Sequence, residues 1–391
     1  MTSFERIQAA INHKESDHVP FDLGGTTLTG INKYAYFKLR KYLNLDTPKT
    51  IEEIVIDDKM QQLAYVEDDL RKMLRCDVRS VMPDISNKSP HLIDDHIDNN
   101  NIKFTDEWGI GWRMPLEGGH YFDMYKAPME HIDSIDELKK WKWNDPEDPT
   151  RFNEMANKAN YIVNSEKCAY LLGRQFAGIF ETALWLRGID NFLCDLYQNP
   201  EMAEYLLDVL VEMKIKYWNK ALEAVGENVM LITEADDLGT QDSMMISPEM
   251  YRKFLKPRHQ KIHAFIKNKA KRPVKIFFHC CGSIYNIIPD LIESHIDILN
   301  PYQVNAKNMD DTKMFKKEFG KEMTIWGGGC DTQRILNLGS RQQVIDETKK
   351  RIDDLAPGGG FVFTPVHNIQ GEVPPENIMA MWETWDIYGK Y

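Results

Sequence analysis

Short apolar segments alternate with longer amphipathic segments along most of this 391-residue chain. Eight of the short segments have the apolar and β-branched character of a buried strand. They are HVPFDLGG (18–25), CDVRSVMP (76–83), CAYLLGRQ (168–175), NVMLITEADDLG (228–239), KIFFHCCG (275–282), IDILNPYQ (296–303), MTIWGGGCD (323–331) and GGFVFTPVHN (359–368). Between most of them apolar residues recur at helical spacing, as in 200–225, 247–270 and 339–356.

This alternation predicts an α/β fold in which helices cover a parallel sheet. Eight strand–helix units, with the last strand near the C-terminus, predict a closed (β/α)8 TIM barrel as one domain over residues 1–391. An open doubly wound sheet is the alternative, weakened because no GxGxxG follows the first strand. Residues 84–150 break the alternation and are predicted to be a hairpin-forming insertion, a lid or edge on the second βα loop.

Composition narrows the class of protein. The formal net charge of -12 argues against a nucleic-acid partner, which requires a basic face. The sequence contains no run of about 18 apolar residues, so no membrane span is expected. The N-terminal residues also lack the apolar core of a secretory signal. Six cysteines in this setting predict reduced thiols and metal ligands of a cytoplasmic protein.

Polar side chains cluster at the ends of four predicted strands, which in a barrel meet at one mouth. They are Glu234, Asp236, Asp237, His279, Cys280, Cys281, Cys330, Asp331, His367 and Asn368. His279 and Cys281 are two residues apart and therefore share a strand face, whereas Cys280 points the other way.

A histidine and a thiolate on one face, with one further ligand, predict a Zn²⁺ site with an open fourth position. Cys330 is the preferred third ligand because three glycines precede it and let the backbone approach. His367 and Glu234 are the reserves. The alternative, buried structural thiols beside a hydrogen-bonded histidine, stays open.

Asp236 and Asp237 are candidate catalytic residues because one of two adjacent residues on a strand alternates into the mouth. The aspartate that points into the mouth could bind a substrate cation, orient a zinc ligand or act as a base. The alternative is that the two aspartates only cap the turn that follows the strand. Trp108 could present its indole to an aromatic substrate, although the hydrophobic face of a hairpin explains it better. Glu234 and Gln333 are further candidates for substrate contact.

Longer motifs resemble the uroporphyrinogen decarboxylase superfamily, in particular its corrinoid-dependent methyltransferase branch. They are VPFDLGGT, DDLGTQ, SPEMYRKFLKPRH, FFHCCGSIYNIIPDLIE, ILNPYQ, WGGGCDTQRIL and LAPGGGFVFTPVHNIQGEVPPENI. The resemblance spans nearly the whole chain, least in 84–150, and implies a (β/α)8 barrel. It also implies zinc on an HxC motif, here His279 and Cys281, plus a later cysteine. In the coenzyme M methyltransferases that cysteine follows the last strand, where this chain has His367, so Cys330 is the substitute one strand earlier.

The resemblance implies a zinc-dependent methyltransferase, in which Asp236, Asp237 and His367 are the catalytic candidates by their position at the strand ends. The methyl group would move between a small methylated compound and a corrinoid (cobalamin) carried by a partner protein. The expected methylated compound is a methoxylated aromatic, so the reaction would be an O-demethylation. A methylcobalamin:thiol methyltransferase and a non-catalytic corrinoid-protein-binding module are alternatives. Uroporphyrinogen decarboxylation is disfavoured because PFDLGGTTLTGINK lacks the arginine that would hold a polycarboxylate. A homodimer is left open.

Overall fold

Strands and helices alternate along the chain in the computed structural model, which describes residues 1–86, 88–89, 91 and 93–391. The strands are β1 (Ile56–Asp58), β2 (Leu63–Ala64), β3 (Val78–Val81), β4 (Ile93–Asp98), β5 (Asn101–Thr105), β6 (Gly111–Pro115), β7 (Asp123–Lys126), β8 (Ala169–Leu172), β9 (Leu231–Ala235), β10 (Lys275–His279), β11 (Ile298–Asn300), β12 (Thr324–Trp326) and β13 (Phe361–Val362). The α-helices are α1 (Ser3–Ala10), α2 (Lys33–Tyr42), α3 (Asp68–Met73), α4 (Ile135–Leu138), α5 (Met155–Tyr161), α6 (Ile179–Arg187), α7 (Ile189–Gln198), α8 (Pro200–Val225), α9 (Pro248–Met250), α10 (Lys256–Lys269), α11 (Ile288–Glu293), α12 (Thr312–Phe319), α13 (Ile335–Leu338), α14 (Arg341–Leu355) and α15 (Pro375–Tyr388). Among these described helices, none is long and apolar enough to cross a lipid bilayer.

Seven strands form a parallel sheet in the order β13-β12-β11-β10-β9-β8-β3. The longest register runs from Lys275 opposite Leu231 to His279 opposite Ala235. Because all seven strands run in the same direction, their C-terminal ends lie along one rim. The strands are short and almost fully buried, as expected where helices cover the outer face of a parallel sheet.

The segment before α2 closes the sheet into a ring. Phe21 pairs in parallel with Phe363, whose backbone N–H donates to the carbonyl of Pro20 at 2.8 Å. On its other side the Phe21 carbonyl accepts the backbone N–H of Asp77 at 2.8 Å. All eight predicted strand segments therefore contribute to the ring, and the predicted α/β (β/α)8 fold is confirmed. The first strand is reduced to this bridge, since Pro20 has no N–H to donate and the Phe21 N–H is taken by the Asp77 carboxylate at 3.0 Å.

Apolar side chains fill the interior of the ring below the rim. The innermost cluster consists of Ile7, Ala10, Ile11, Leu28, Val78, Ala169, Leu171, Leu231, Phe277, Ile298, Trp326 and Val362. Three of these residues come from α1 and the turn after it, so this helix plugs the N-terminal end of the ring. A filled lower half is usual for such barrels and leaves the C-terminal rim for binding.

Within the segment predicted as an insertion, β4 to β7 form an antiparallel sheet. Asn99 and Asn100 both have positive φ at the tight turn between β4 and β5, as a two-residue hairpin turn requires. Trp112 of β6 packs edge-to-face on Trp185 of α6, with 5.4 Å between ring centroids. The sheet is thus packed against a barrel helix. Residues 87, 90 and 92 of the predicted insertion lie outside the described residues.

Candidate metal centre

Three potential ligands meet at the C-terminal rim. One ligand atom each from His279, Cys281 and His367 lies within 4.8 Å of the other two. His279 is the last residue of β10, and its Nε2 lies 3.3 Å from the Cys281 Sγ two residues later. His367 follows β13 in an irregular segment, with its ring centroid 5.6 Å from that of His279. The two-residue spacing places the first two ligands on one face, as the strand pattern predicts.

The hydrogen bonds of Asn300 set the tautomer of His279. The Asn300 Nδ2 donates to the carbonyl of Trp326 at 2.7 Å, which leaves its Oδ1 as an acceptor. This oxygen lies 2.6 Å from the His279 Nδ1, which therefore carries the ring proton. The His279 Nε2 is then unprotonated and directed at the Cys281 thiol. A second partner that fixes the ring nitrogen facing away from the ion is the usual arrangement around a metal-ligating histidine.

Burial controls the protonation of all three groups. It lowers the pKa of His279 and lowers that of His367 to about 4, so both imidazoles are neutral at neutral pH. Burial also raises the pKa of the Cys281 thiol well above its ordinary value, with the Asp237 carboxylate acting in the same direction. A divalent cation here would favour the thiolate, which couples metal binding to proton release. Two neutral imidazoles and one thiol form a nitrogen–sulfur donor set that fits zinc.

The two adjacent aspartates face opposite directions. Asp237 has 34% of its side chain exposed, and its Oδ1 accepts the Cys281 backbone N–H at 2.8 Å and lies 3.8 Å from the His279 Nε2. Asp236 is fully buried and points outward, where it accepts the N–H groups of Phe180 and Glu181 at the start of α6. Asp237 therefore lies beside the candidate metal centre. The carboxylate of Asp236, expected to be catalytic, instead caps α6 and does not face the candidate metal centre.

Cys330 is not part of the cluster, contrary to the prediction that it is the third ligand. Its thiol is completely buried, which raises its pKa, and the charged residues that act on it include Glu347 and Arg351 of α14. Gly327 and Gly328 adopt left-handed φ values of 110° and 77°, which turn the chain away from the strand pattern after β12. The glycines thus direct Cys330 outward, towards α14, and His367 takes the third position.

Glu234 and Trp108 also lie away from the centre. Glu234 points outward from β9 and accepts from Lys214 Nζ of α8 at 2.8 Å. Trp108 is 6% exposed and packs on Phe176, with 4.6 Å between ring centroids. Neither lines the rim cleft, so the structure does not place these two expected substrate residues beside the candidate metal centre.

A cleft of about 580 Å³ opens beside Cys281 and His367 and is lined in part by Gln333. Seven of its lining side chains are carboxamides: Gln241, Gln303, Asn305, Gln333, Asn337, Asn368 and Gln370. Of the predicted substrate residues, Gln333 is therefore the one that the cleft includes. Two glycines and two threonines make up half of the remaining lining residues.

The sequence reading missed Glu181, which lies in the first turn of α6. Burial raises its pKa to about 8, with the charges of Asp237 and Asp236 as the next causes and Arg174 acting in the opposite direction. Its carboxyl group therefore keeps its proton at neutral pH. The sequence does hold a signal for it. Polar residues at strand ends are candidates, and the third predicted strand (168–175) also ends in polar residues, among them Arg174, shortly before Glu181.

The fold and the rim cluster together define a (β/α)8 barrel protein with a candidate zinc site at the C-terminal ends of its strands. A family model described as Uroporphyrinogen decarboxylase (URO-D) matches residues 124–388, and the chain belongs to this family.

The proteins that this chain resembles include methyltransferases and uroporphyrinogen decarboxylases. A methylcobamide:CoM methyltransferase of Methanosarcina barkeri is 28% identical over 203 residues, which cover 52% of this chain and 54% of that protein. A uroporphyrinogen decarboxylase of Thioalkalivibrio sulfidiphilus is 26% identical over 190 residues, 48% of this chain and 49% of that protein. The chain thus spans about half the length of the curated relatives it matches.

A solved methyltransferase structure from Methanosarcina mazei matches the fold. The TM-score is 0.64 at 18% identity, and the match covers 99% of both chains. At this identity the likeness supports the barrel fold alone.

Proposed function

We propose that this protein is a zinc-dependent methyltransferase that moves a methyl group between a methoxylated aromatic compound and the cobalt of a corrinoid held by a partner protein. The observation that carries the proposal is the cluster of His279, Cys281 and His367 at the barrel rim. The similarity to a methylcobamide:CoM methyltransferase supports the reaction class. When bound, zinc would supply Lewis acidity towards the ether oxygen and make it a better leaving group.

The residues around the cluster would orient the ligands and hold a proton. Asn300 holds the His279 tautomer that leaves Nε2 free. Asp237 fixes the backbone of Cys281 through its N–H. Burial and the charge of Asp237 keep the Glu181 proton in place at neutral pH. In the proposed reaction Glu181 would supply the proton that the leaving oxygen takes up.

Methyl transfer from a methylated corrinoid to a thiol is the second candidate. It is favoured by the name of the Methanosarcina barkeri relative, whose acceptor is CoM. In both candidates the partner is a corrinoid protein that would approach the open rim. The two differ in whether the small molecule gives or receives the methyl group.

Decarboxylation of uroporphyrinogen receives less support, although a relative with that name matches part of the chain. None of the described residues lining the rim cleft is a lysine or an arginine. A substrate with several carboxylates would bind there without a paired cation, which is costly in a partly buried site.

Zinc analysis of single variants would test the ligand set. His367→Ala and Cys281→Ser are each expected to lose most of the bound zinc. Cys330→Ser and Cys280→Ser serve as matched controls and should retain it, because Cys330 is buried beside α14 and Cys280 points into the outer core. Retention of zinc by His367→Ala together with loss in Cys330→Ser would reverse the assignment.

Activity would be tested with a reduced corrinoid protein and a panel of methoxylated aromatics and thiols, read from the cobalt absorbance. A spectral change that a chelator abolishes and added zinc restores is expected. Carbon dioxide release from uroporphyrinogen without any cobalt response would favour the decarboxylase. A zinc-containing protein inactive in both assays would favour a corrinoid-protein-binding module.

A further inference from the structure

The chemistry of the cleft walls identifies a narrower substrate class. Carboxamides dominate the lining, and the described lining residues include no lysine, arginine, phenylalanine, tyrosine or tryptophan. Glu372 is the acidic lining residue, and its carboxylate lies 3.2 Å from the His120 Nε2. Carboxamides donate and accept hydrogen bonds without charge, so this wall favours polar groups that are themselves uncharged.

Two of the carboxamides have their orientation fixed. The Gln303 Oε1 accepts the Gly282 backbone N–H at 2.6 Å, so its Nε2 is left as a donor. The Asn305 Nδ2 donates to the Asp331 carboxylate at 3.2 Å, which leaves Oδ1 as an acceptor. This Asn305 oxygen is buried in the cleft wall and has no partner among the described residues.

A buried acceptor without a partner is destabilising, because it has lost its hydrogen bonds to water without replacement. A hydroxyl group held in the cleft is one ligand group that would satisfy the Asn305 oxygen after a small side-chain shift. The free Gln303 amide could in turn donate to an ether or hydroxyl oxygen. The wall thus offers both a donor and an acceptor in fixed orientations.

Zinc bound at the rim would add little net positive charge. The Cys281 thiolate and the nearby Asp237 carboxylate each carry one negative charge, and together they offset the two positive charges of the ion. The charge of Arg174 also reaches His279 and Glu181, but Arg174 does not line the cleft. A carboxylate or sulfonate held against the carboxamide wall would therefore lose hydration there without a cation in contact with it.

We infer that the cleft selects an uncharged methyl ether that carries a hydroxyl group, in preference to an anionic methyl compound or an anionic thiol. This inference rests on the proposed function for the fate of the methyl group, but the selection itself concerns binding. Among methoxylated aromatics it favours a methoxyphenol over a methoxybenzoate.

A matched ligand series would test the inference by binding, without a corrinoid. Affinities of 2-methoxyphenol, methoxybenzene and 2-methoxybenzoate for the zinc-loaded protein would be measured by ligand-observed NMR titration. The hydroxyl group should strengthen binding about two- to tenfold over methoxybenzene, the range of one added hydrogen bond. The benzoate should bind at least about tenfold more weakly than the phenol.

A lysine introduced into the cleft wall tests whether the missing cation is what disfavours an anionic ligand, and the same change outside the cleft is its control. Gln333→Lys places an ammonium group in the cleft wall and should strengthen 2-methoxybenzoate binding about fivefold. Gln342→Lys, on the exposed side of α14, makes the same charge change outside the cleft and should leave the affinity unchanged. Asn305→Leu should remove most of the advantage of the phenol over methoxybenzene.

The outcomes separate this inference from the proposed function. Equal or tighter binding of the benzoate by the unmodified protein, or no binding of any of the three at millimolar concentration, overturns the inference. If the expected order is found but no ligand changes the cobalt spectrum, the proposed function fails and the selectivity stands. Turnover of the benzoate in preference to the phenol would support the methyltransferase and refute the selectivity.

Discussion

The tautomer imposed by Asn300 should control zinc affinity. Asn300→Leu removes the acceptor that lies 2.6 Å from the His279 Nδ1 and keeps a side chain of similar size. The ring proton is then free to move to Nε2, where it blocks metal binding. Loss of such a partner typically weakens metal binding about 10- to 100-fold, or about 1.4 to 2.8 kcal/mol. Asn300→Asp keeps an acceptor, so its zinc affinity is expected within about threefold of the unmodified protein or above it.

Competition with a chromophoric chelator would measure both affinities at a pH where each variant is folded. Circular dichroism would confirm folding, because both variants also remove the hydrogen bond to the Trp326 carbonyl. That shared loss makes the aspartate variant the control for structural damage. The reasoning is refuted if the leucine variant binds zinc within twofold of the unmodified protein, or if both variants lose zinc to the same extent.

Three further predictions concern the barrel wall. Asp236→Ala should lower the free energy of unfolding by about 2 to 4 kcal/mol through loss of the α6 cap, with unchanged zinc content, measured by urea unfolding. Lys214→Met leaves Glu234 buried without its cation and should cost about 3 to 5 kcal/mol in the same assay, whereas simultaneous Glu234→Gln should recover part of the loss. Burial raises the pKa of Asp22 to about 6, so protonated Asp22 favours the folded state below pH 4 and this contribution is lost as the pH rises through 6. The stability of the unmodified protein relative to Asp22→Asn should therefore fall by on the order of 3 kcal/mol between pH 4 and pH 7, and a difference independent of pH would contradict the raised pKa.

The sequence predicts those features that depend on strand periodicity. The alternation of side chains along a strand places His279 and Cys281 on one face and Cys280 on the other, and the structure has this arrangement. The same rule states that one of Asp236 and Asp237 points inward, but not which one. That choice depends on where β9 meets the start of α6, whose N–H groups recruit Asp236.

Cys330 lies away from the rim cluster, and the sequence did not predict this because periodicity ends with the strand. After Trp326 two glycines with left-handed φ redirect the chain, so the position of Cys330 no longer follows from alternation. His367 lies five residues beyond the end of β13, in a segment held by contacts from elsewhere in the chain, such as the Val366 N–H to the Cys330 carbonyl at 3.0 Å. Such long-range contacts cannot be read from local sequence.

The closure of the ring has a consequence for how the protein is made. Phe21 leaves the ribosome long before its partner Phe363, which lies 342 residues later in the chain. Until then the strands already made have open edges and exposed apolar surface, which is the condition that favours aggregation. The nascent chain is therefore expected to depend on chaperones, and truncations that remove the last strand should produce insoluble protein even though the residues of β3 to β12 are intact.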